Sequence, residues 1–407
     1  MRFVEKKLLI LGASVYQVPL IKAANRVGLH TIVSSIPGDY PGFGVAKETL
    51  EINTIDKEAI YEVAKEKGID GITTTGTDVA VVTIGYVNER MGLSGVSEEG
   101  ARKTTDKALM KEAFRSGDVS ASAFHRVSSL EDAKAAALNI GYPVVVKCVD
   151  SSGSRGITTV QKEEDLPAAF EAAMNVTRKD YVLVEEMLKG QEIGVDAIVS
   201  GGELIFFAPH LKFTYPNGGI TITAGHAFPY RCSDAVTAEL RKQIELAVKA
   251  LGIDNCALNA DVFVDGEKVA IIEIGARAGA TCIPELITNC YGFDYYQAII
   301  DCALGEDPAI PKTLPERPCI AKLLMSPVDG TITGIDEAGL EALRDKGITV
   351  ALDFGVGHEV EAMINGTTRI GHVIAFAEEE QEFDEIMKLV YRNIYVNDQS
   401  LEALWEI

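Results

Sequence analysis

The 407 residues suffice for two or three domains of ordinary size and a large buried core. Sixty Asp and Glu against 38 Lys and Arg leave a net charge of −22, which argues against a nucleic-acid backbone as the main partner but allows a small anion in a local basic pocket. No apolar stretch approaches the length of a membrane span, and Gly12 cuts the run Leu8–Leu11 too short for a signal peptide. The seven cysteines form no C-x-x-C pair and lie mostly in apolar contexts, so they are expected to be reduced and largely buried, as in a cytoplasmic protein.

Residues 7–11 read as a strand, Val18 to Val27 as a helix stopped by Gly28, and Thr31 to Val33 as a strand. Strand, helix and strand recur over residues 50–52, 55–67 and 69–73. This alternation predicts a small α/β domain with a parallel sheet over residues 1–98. Its first turn, Gly12-Ala13-Ser14-Val15-Tyr16-Gln17, holds one glycine where a dinucleotide fingerprint needs three, and reads as a tight strand-to-helix turn. A helix is predicted over 104–116, capped by Thr104 or Thr105, and another over 233–252, capped by Ser233 or Asp234. Strands at 256–264 and 268–274 are joined by Asp265-Gly266, the signal of a type I′ hairpin. Pro308, Pro311, Pro315 and Pro318 read as a linker, after which strands mix with helices near 336–346 and 378–393.

Several segments carry chemistry. Val144-Val145-Val146-Lys147 is an apolar strand ending in a lysine, and Ser151, Ser152, Gly153, Ser154 and Gly156 form a small-residue loop behind it. Such a loop lets backbone N–H groups approach an anion, and a buried ammonium needs one. The alternative is a surface loop beside a snorkelling lysine. Asp106-Lys107, with Lys111, opens a helix, and taken alone reads as a capped helix with surface charges. Strand Tyr181–Glu185 runs into Glu186, Leu188 and Glu192, a stretch suited to a flat base and a ribose or, alternatively, an acidic hairpin edge. Asp261 and Glu273 lie on the two strands of the hairpin, where facing carboxylates would hold Mg²⁺; Arg277 follows four residues on, suited to an oxyanion. An exposed Asp and a Glu–Arg surface pair are the alternative. A P-loop is excluded, because no Gly-Lys dipeptide occurs.

In order and spacing these segments resemble the ATP-grasp superfamily over residues 1–315. The resemblance implies an α/β chain in three parts: a Rossmann-like pre-ATP-grasp domain (1–98), an ATP-grasp domain (99–314, lid lobe about 118–186) and an α+β C-terminal domain (315–407). It implies ATP and Mg²⁺ as cofactors, two ions by the family pattern, with Mn²⁺ as a substitute. Lys107 and Lys147 would bind phosphates under the loop Ser151–Ser154 and Gly156. Glu185, Glu186 and Leu188 would border the adenine, Glu192 the ribose, and Asp261 and Glu273 would hold the metal. Arg277 would stabilise an acyl-phosphate and the tetrahedral intermediate. Gly275 departs from the family's usual asparagine, with Asn259 or water as its replacement.

Within the superfamily the chain looks most like the L-amino-acid ligases, on the spacing of His226 before Asp261 and on the segment Arg369–Ala375. His226 would then face substrate or be a satisfied strand histidine, and Asp78 would bind a substrate ammonium or cap a helix. Cys282 reads as packing. The implied reaction phosphorylates a carboxylate, which an amine attacks to give an amide. The competing readings are a dedicated biosynthetic amino-acid ligase, a carboxylase-like enzyme forming carboxyphosphate, and a nucleotide-binding module without chemistry. Partners are a small carboxylate and an amine, with no nucleic acid and no membrane; a homodimer fits the resemblance. Lys147→Ala or Arg277→Ala is expected to abolish turnover without unfolding the protein.

Overall fold

The computed structural model describes residues 5–150, 156–217, 220–363 and 368–406. Loop positions Ser151, Ser152, Gly153 and Ser154 lie outside them. The chain divides into two compact units, one of residues 1–207, 231–279 and 296–310, the other of residues 208–230, 280–295 and 311–407.

The first unit opens with β1 (Lys7–Leu11), α1 (Val18–Arg26), β2 (His30–Ser34), β3 (Glu48–Leu50), α2 (Lys57–Lys67), β4 (Gly71–Thr73), α3 (Val81–Met91) and α4 (Glu98–Lys103). The four strands form a parallel sheet in the order β3-β2-β1-β4, as the alternation predicts. The β1–α1 turn is filled by the chain itself. Gln17 Oε1 accepts from Ser14 N at 2.9 Å and Ser14 Oγ at 2.7 Å, and Gly42 N donates to Ala13 O at 2.7 Å. A Cβ at Gly42 would meet Ala13 backbone at 2.7 Å. The turn is thus closed by protein groups, in keeping with the single glycine of its sequence.

There follow α5 (Lys107–Ser116), β5 (Phe124–Val127), α6 (Leu130–Ile140), β6 (Val144–Lys147), β7 (Ile157–Val160), α7 (Leu166–Val176) and β8 (Val182–Glu186). The cap of α5 is Asp106, not Thr104 or Thr105: its carboxylate accepts from Ala108 N and Leu109 N, while Thr104 ends α4. The four strands form an antiparallel sheet, β5-β8-β6-β7. Strand alternation turns Val144, Val146, Val182 and Val184 into a core with Ala133, Ala137, Ala169 and Ala173 of α6 and α7. The same alternation turns Lys147 and Glu185 to the other face, where Leu183 packs with Ala108 of α5.

A third sheet runs β13-β12-β9-β10, from β9 (Gln191–Ser200), β10 (Glu203–Asn217), β12 (Cys256–Asp265) and β13 (Lys268–Gly275). The unit boundary falls within β10. Helices α8 (Asp234–Leu251, capped by Ser233) and α10 (Tyr295–Ala303) complete the unit. The β12–β13 turn is a correction: Asp265 pairs with Lys268, so the loop is Gly266-Glu267, and only Gly266 has positive φ (+61°). That is the pattern of a type II′ turn rather than I′.

The second unit pairs β10 with β11 (Ile220–Phe228), then β14 (Cys319–Met325), β18 (Arg369–Phe376) and β16 (Thr349–Leu352). A smaller sheet holds β15 (Gly330–Ile335), β17 (Glu359–Val360), β19 (Ile394–Val396) and β20 (Gln399–Ser400). Its helices are α9 (Ile283–Tyr291), α11 (Glu337–Arg344), α12 (Glu380–Tyr391) and α13 (Leu401–Trp405). Leu324, Ile332, Leu340, Ile370, Phe383 and Ile394 share one core.

His372 of β18 is held in that unit with its pKa lowered to about 4 by burial and by Arg369. An unfolded chain takes up the proton near pH 6.5, so stability is expected to fall, by up to about 3 kcal/mol, as pH drops from 6.5 to 4. Denaturant midpoints at pH 7 and 4.5 should differ less for His372→Gln than for the parent; equal differences would refute this.

Candidate functional site

Seven residues singled out in the sequence, Asp78, Lys107, Asn259, Asp261, Glu273, Gly275 and Arg277, line one cleft of about 480 Å³ in the first unit. Local pairing explains why. Asp261 and Glu273 are direct cross-strand partners on β12 and β13, so their side chains share a face, and a register shift follows at once after Asp261. Lys107, the first residue of α5, reaches Glu273 Oε2 at 3.0 Å, and its backbone N donates to Val149 O beyond the end of β6. Burial would lower the Lys107 pKa, but Glu273 outweighs it and the net shift is upward, so the ammonium stays charged.

Asp78 comes from the loop after β4. That loop is tied to the segment behind β13 by a parallel bridge between Thr75 and Ala278 and by Gly76 N donating to Ala278 O at 3.1 Å. The Asp78 carboxylate does not cap α3; it pairs with Arg277 Nη2 at 2.8 Å. Arg277 Nη1 donates to Asn259 Oδ1 at 3.1 Å, and Asn259 Nδ2 donates to Asp196 Oδ2 at 2.7 Å. Asp196 is fully buried on β9 and also accepts from Gly279 N. This chain of bonds fixes the guanidinium. Its Nε–H is buried with no acceptor among the described residues. Burial would lower the Arg277 pKa; Asp78 outweighs that, and the net shift is upward.

Gly275, where an asparagine is usual in the superfamily, has a local reason. A Cβ there would lie 3.0 Å from Asp78 Oδ1 and 3.4 Å from Arg277 Cζ. Glycine leaves room for the Asp78–Arg277 pair. Asn259, the suggested replacement, is committed to Asp196 and Arg277.

Lys147 and Glu185 form a second cluster under α5. Lys147 Nζ lies 2.9 Å from Glu185 Oε1; Lys111 Nζ lies 3.4 Å from Glu185 Oε2 and donates to Ser122 Oγ at 2.8 Å, and Ser122 donates on to Glu185 at 2.8 Å. Glu185 is 4% exposed. Burial would raise its pKa, but the two lysines outweigh it and hold it below the usual carboxylate value. Lys111, buried on α5, is pushed down to about 8 by burial, against the opposing pull of Glu185.

Glu186 and Leu188 line a separate cleft of about 660 Å³ with Phe263 and Val269. Gly190 holds this stretch against β12: its φ is +113°, and a Cβ there would meet Val264 O at 2.3 Å. Glu192 is exposed on β9, in register with Phe263. Gly156, at φ +67°, precedes β7.

His226 belongs to the second unit. It is buried on β11, edge-on to the His210 ring at 4.7 Å, with Nδ1 unpartnered among the described residues. Burial first, then His210 and Lys212, push its pKa well down, so it is neutral at pH 7. Cys282 is buried in the same unit, and burial raises its thiol pKa, as packing requires. All seven cysteines are free, and five are buried.

Sequence reasoning missed Asp196, Ser122, Arg178, Lys179 and the apolar cleft residues Ile55, Val79 and Val82. Asp196 had a signal, a carboxylate within the apolar run Ile193–Val199. No group of three or more His, Cys, Asp or Glu suited to a metal occurs among the described residues, and no described helix is long and apolar enough to cross a membrane. A metal at Asp261 and Glu273 would therefore need further oxygens from a ligand. The pair suits such a metal, because two acidic groups face each other in register with the Lys107 cation beside them.

A cross-strand acid pair, a strand ending in a buried lysine, and an arginine behind the second acid are what the resemblance to an ATP-grasp domain implies. Residues 140–285 match the family model of the ATP-grasp domain, so this segment of the chain carries that domain. It is similar to alanine–anticapsin ligase of Bacillus subtilis, 28% identical over 293 residues, which cover 65% of this chain and 61% of that protein. The chain thus spans less than two thirds of that relative's length. The fold is that of the crystal structure of phosphoribosylglycinamide synthetase from Anaerococcus prevotii (TM-score 0.81, 29% identity, 96% of this chain and 99% of that one). It is also that of an L-amino acid ligase from Bacillus licheniformis (TM-score 0.78, 19% identity, 98% and 100%).

Proposed function

We propose that this protein is an ATP-dependent carboxylate–amine ligase acting on an amino acid. The observation that carries the reading is the gathering of Asp78, Lys107, Asp261, Glu273 and Arg277 on one cleft. Lys107 and Lys147 neutralise the ATP phosphates, the stretch Glu185–Leu188 borders the base, and Glu192 takes the ribose. Asp261 and Glu273 hold Mg²⁺, which when bound offsets phosphate charge. The γ-phosphoryl group passes to the substrate carboxylate, giving an acyl-phosphate and ADP. Arg277 orients that carboxylate and balances the charge on the tetrahedral intermediate after amine attack. The amine loses a proton, the C–O bond breaks, and phosphate leaves. The similarity to alanine–anticapsin ligase supports an amino acid as the acid partner.

The similarity to phosphoribosylglycinamide synthetase favours a second reading, in which one substrate carries a phosphoribosyl group. Release of ADP and phosphate from Mg-ATP, with products read by mass spectrometry, separates the two. Pooled amino acids should give a new amide mass with one phosphate per amide. Stimulation only by phosphoribosyl amines would replace this reading with the second, and no stimulated release by any acid would refute both.

A further inference from the structure

Aliphatic side chains line the cleft that holds Asp78. Ile55 and Val79 are large aliphatic side chains left 53% and 54% exposed, and both line the same cleft as Arg277, together with the half-buried Val82. Scattered surface aliphatics need no explanation, but several lining a cleft that also holds a carboxylate–guanidinium pair do. The floor is a carboxylate and a guanidinium in contact, and its shape is complementary to a zwitterion. An ammonium can replace the guanidinium at Asp78, and the Arg277 Nε–H awaits an acceptor. Gly275 keeps that floor open.

We propose that Ile55, Val79 and Val82 form the side-chain pocket for an α-amino acid with an aliphatic or aromatic side chain, whose ammonium meets Asp78 and whose carboxylate meets Arg277. The inference rests on the ligase reading above and narrows its acid substrate. The three aliphatic side chains themselves offer a phosphate no donor. Lys57, Arg178 and Lys179 also line the cleft, but Lys57 is engaged 3.4 Å from Glu98 Oε1 and 4.4 Å over the Tyr86 ring, and Lys179 lies 3.8 Å from Asp106 Oδ2. A phosphoribosyl group seated against Ile55, Val79 and Val82 would lose water at apolar side chains, whereas a leucine side chain would bury apolar surface.

The test is titration calorimetry on the full chain with Mg²⁺ and a non-hydrolysable ATP analogue, using leucine, arginine, glutamate and ribose 5-phosphate as probes. Leucine should bind at least tenfold tighter than the other three. Val79→Asp and Ile55→Asp, at exposed positions that tolerate charge in the fold, should lower the leucine-to-arginine affinity ratio at least tenfold. A merely structural role would weaken both ligands alike and leave that ratio unmoved, which would overturn the proposal. Binding of the analogue with no preference for leucine, or with ribose 5-phosphate favoured, overturns the pocket and leaves ATP binding standing. Failure to bind the analogue at all overturns the ligase reading and the pocket with it.

Discussion

Arg277→Ala is expected to lower turnover by about 100- to 1,000-fold, the usual effect of removing one charge-stabilising donor from a reacting centre. The fold should survive, because the partner left behind, Asp78, is 30% exposed and can be solvated. Arg277→Lys should recover little, since the donors of one compact ammonium nitrogen cannot span the separate positions at which Nη2 meets Asp78, Nη1 meets Asn259 and Nε–H points elsewhere. Circular dichroism with steady-state ADP release checks both. A folded Arg277→Ala protein with more than a tenth of parental turnover would remove Arg277 from the reaction. Lys147→Ala is a poorer test than its sequence implies. Lys147 is the nearer of two cations to a buried Glu185, so its loss should destabilise the sheet that carries it as well as impair nucleotide binding.

What was legible follows from how far each signal is local. The parallel sheet of residues 7–73 was legible because its strands are short apolar runs punctuated by glycine and by helical periodicity. The Asp261–Glu273 pairing was legible because a two-residue turn fixes register, although the turn begins one residue later than its dipeptide suggests. Asp106 does not stand out from its threonine neighbours in the sequence because any of the three can cap; only the structure has Tyr181 Oη donating to it at 3.2 Å. Non-local facts were out of reach. Nothing near Gly275 announces that Asp78, almost two hundred residues earlier in the chain, takes the space a side chain would need. Lys111 reads as a solvated helix lysine, and its burial becomes apparent only once β8 brings Glu185 beneath α5.

That cluster sets the second large effect. Glu185→Gln removes the one carboxylate between two buried ammonium groups and should cost about 3–5 kcal/mol, the range for breaking a buried ion pair from one side. The penalty should depend on pH. The Lys111 pKa is near 8 in the folded protein and near its ordinary 10.5 in the unfolded chain. The unfolded chain therefore holds more protons between those values, so burying this lysine costs most below pH 8 and least above 10.5. Without Glu185 the upward pull on Lys111 is gone, and its folded pKa drops below 8. The variant can then shed the proton sooner as pH rises, so the stability gap between parent and Glu185→Gln should narrow from pH 7 to pH 9. Glu185 itself favours folding only where it is ionised, and this contribution is complete at both pH values. Urea unfolding at pH 7 and pH 9 measures the gap. One below about 1 kcal/mol, the worth of an exposed pair, would mean that water reaches Lys111 and Glu185. A gap unchanged by pH would mean that Lys111 keeps its proton by moving to another partner.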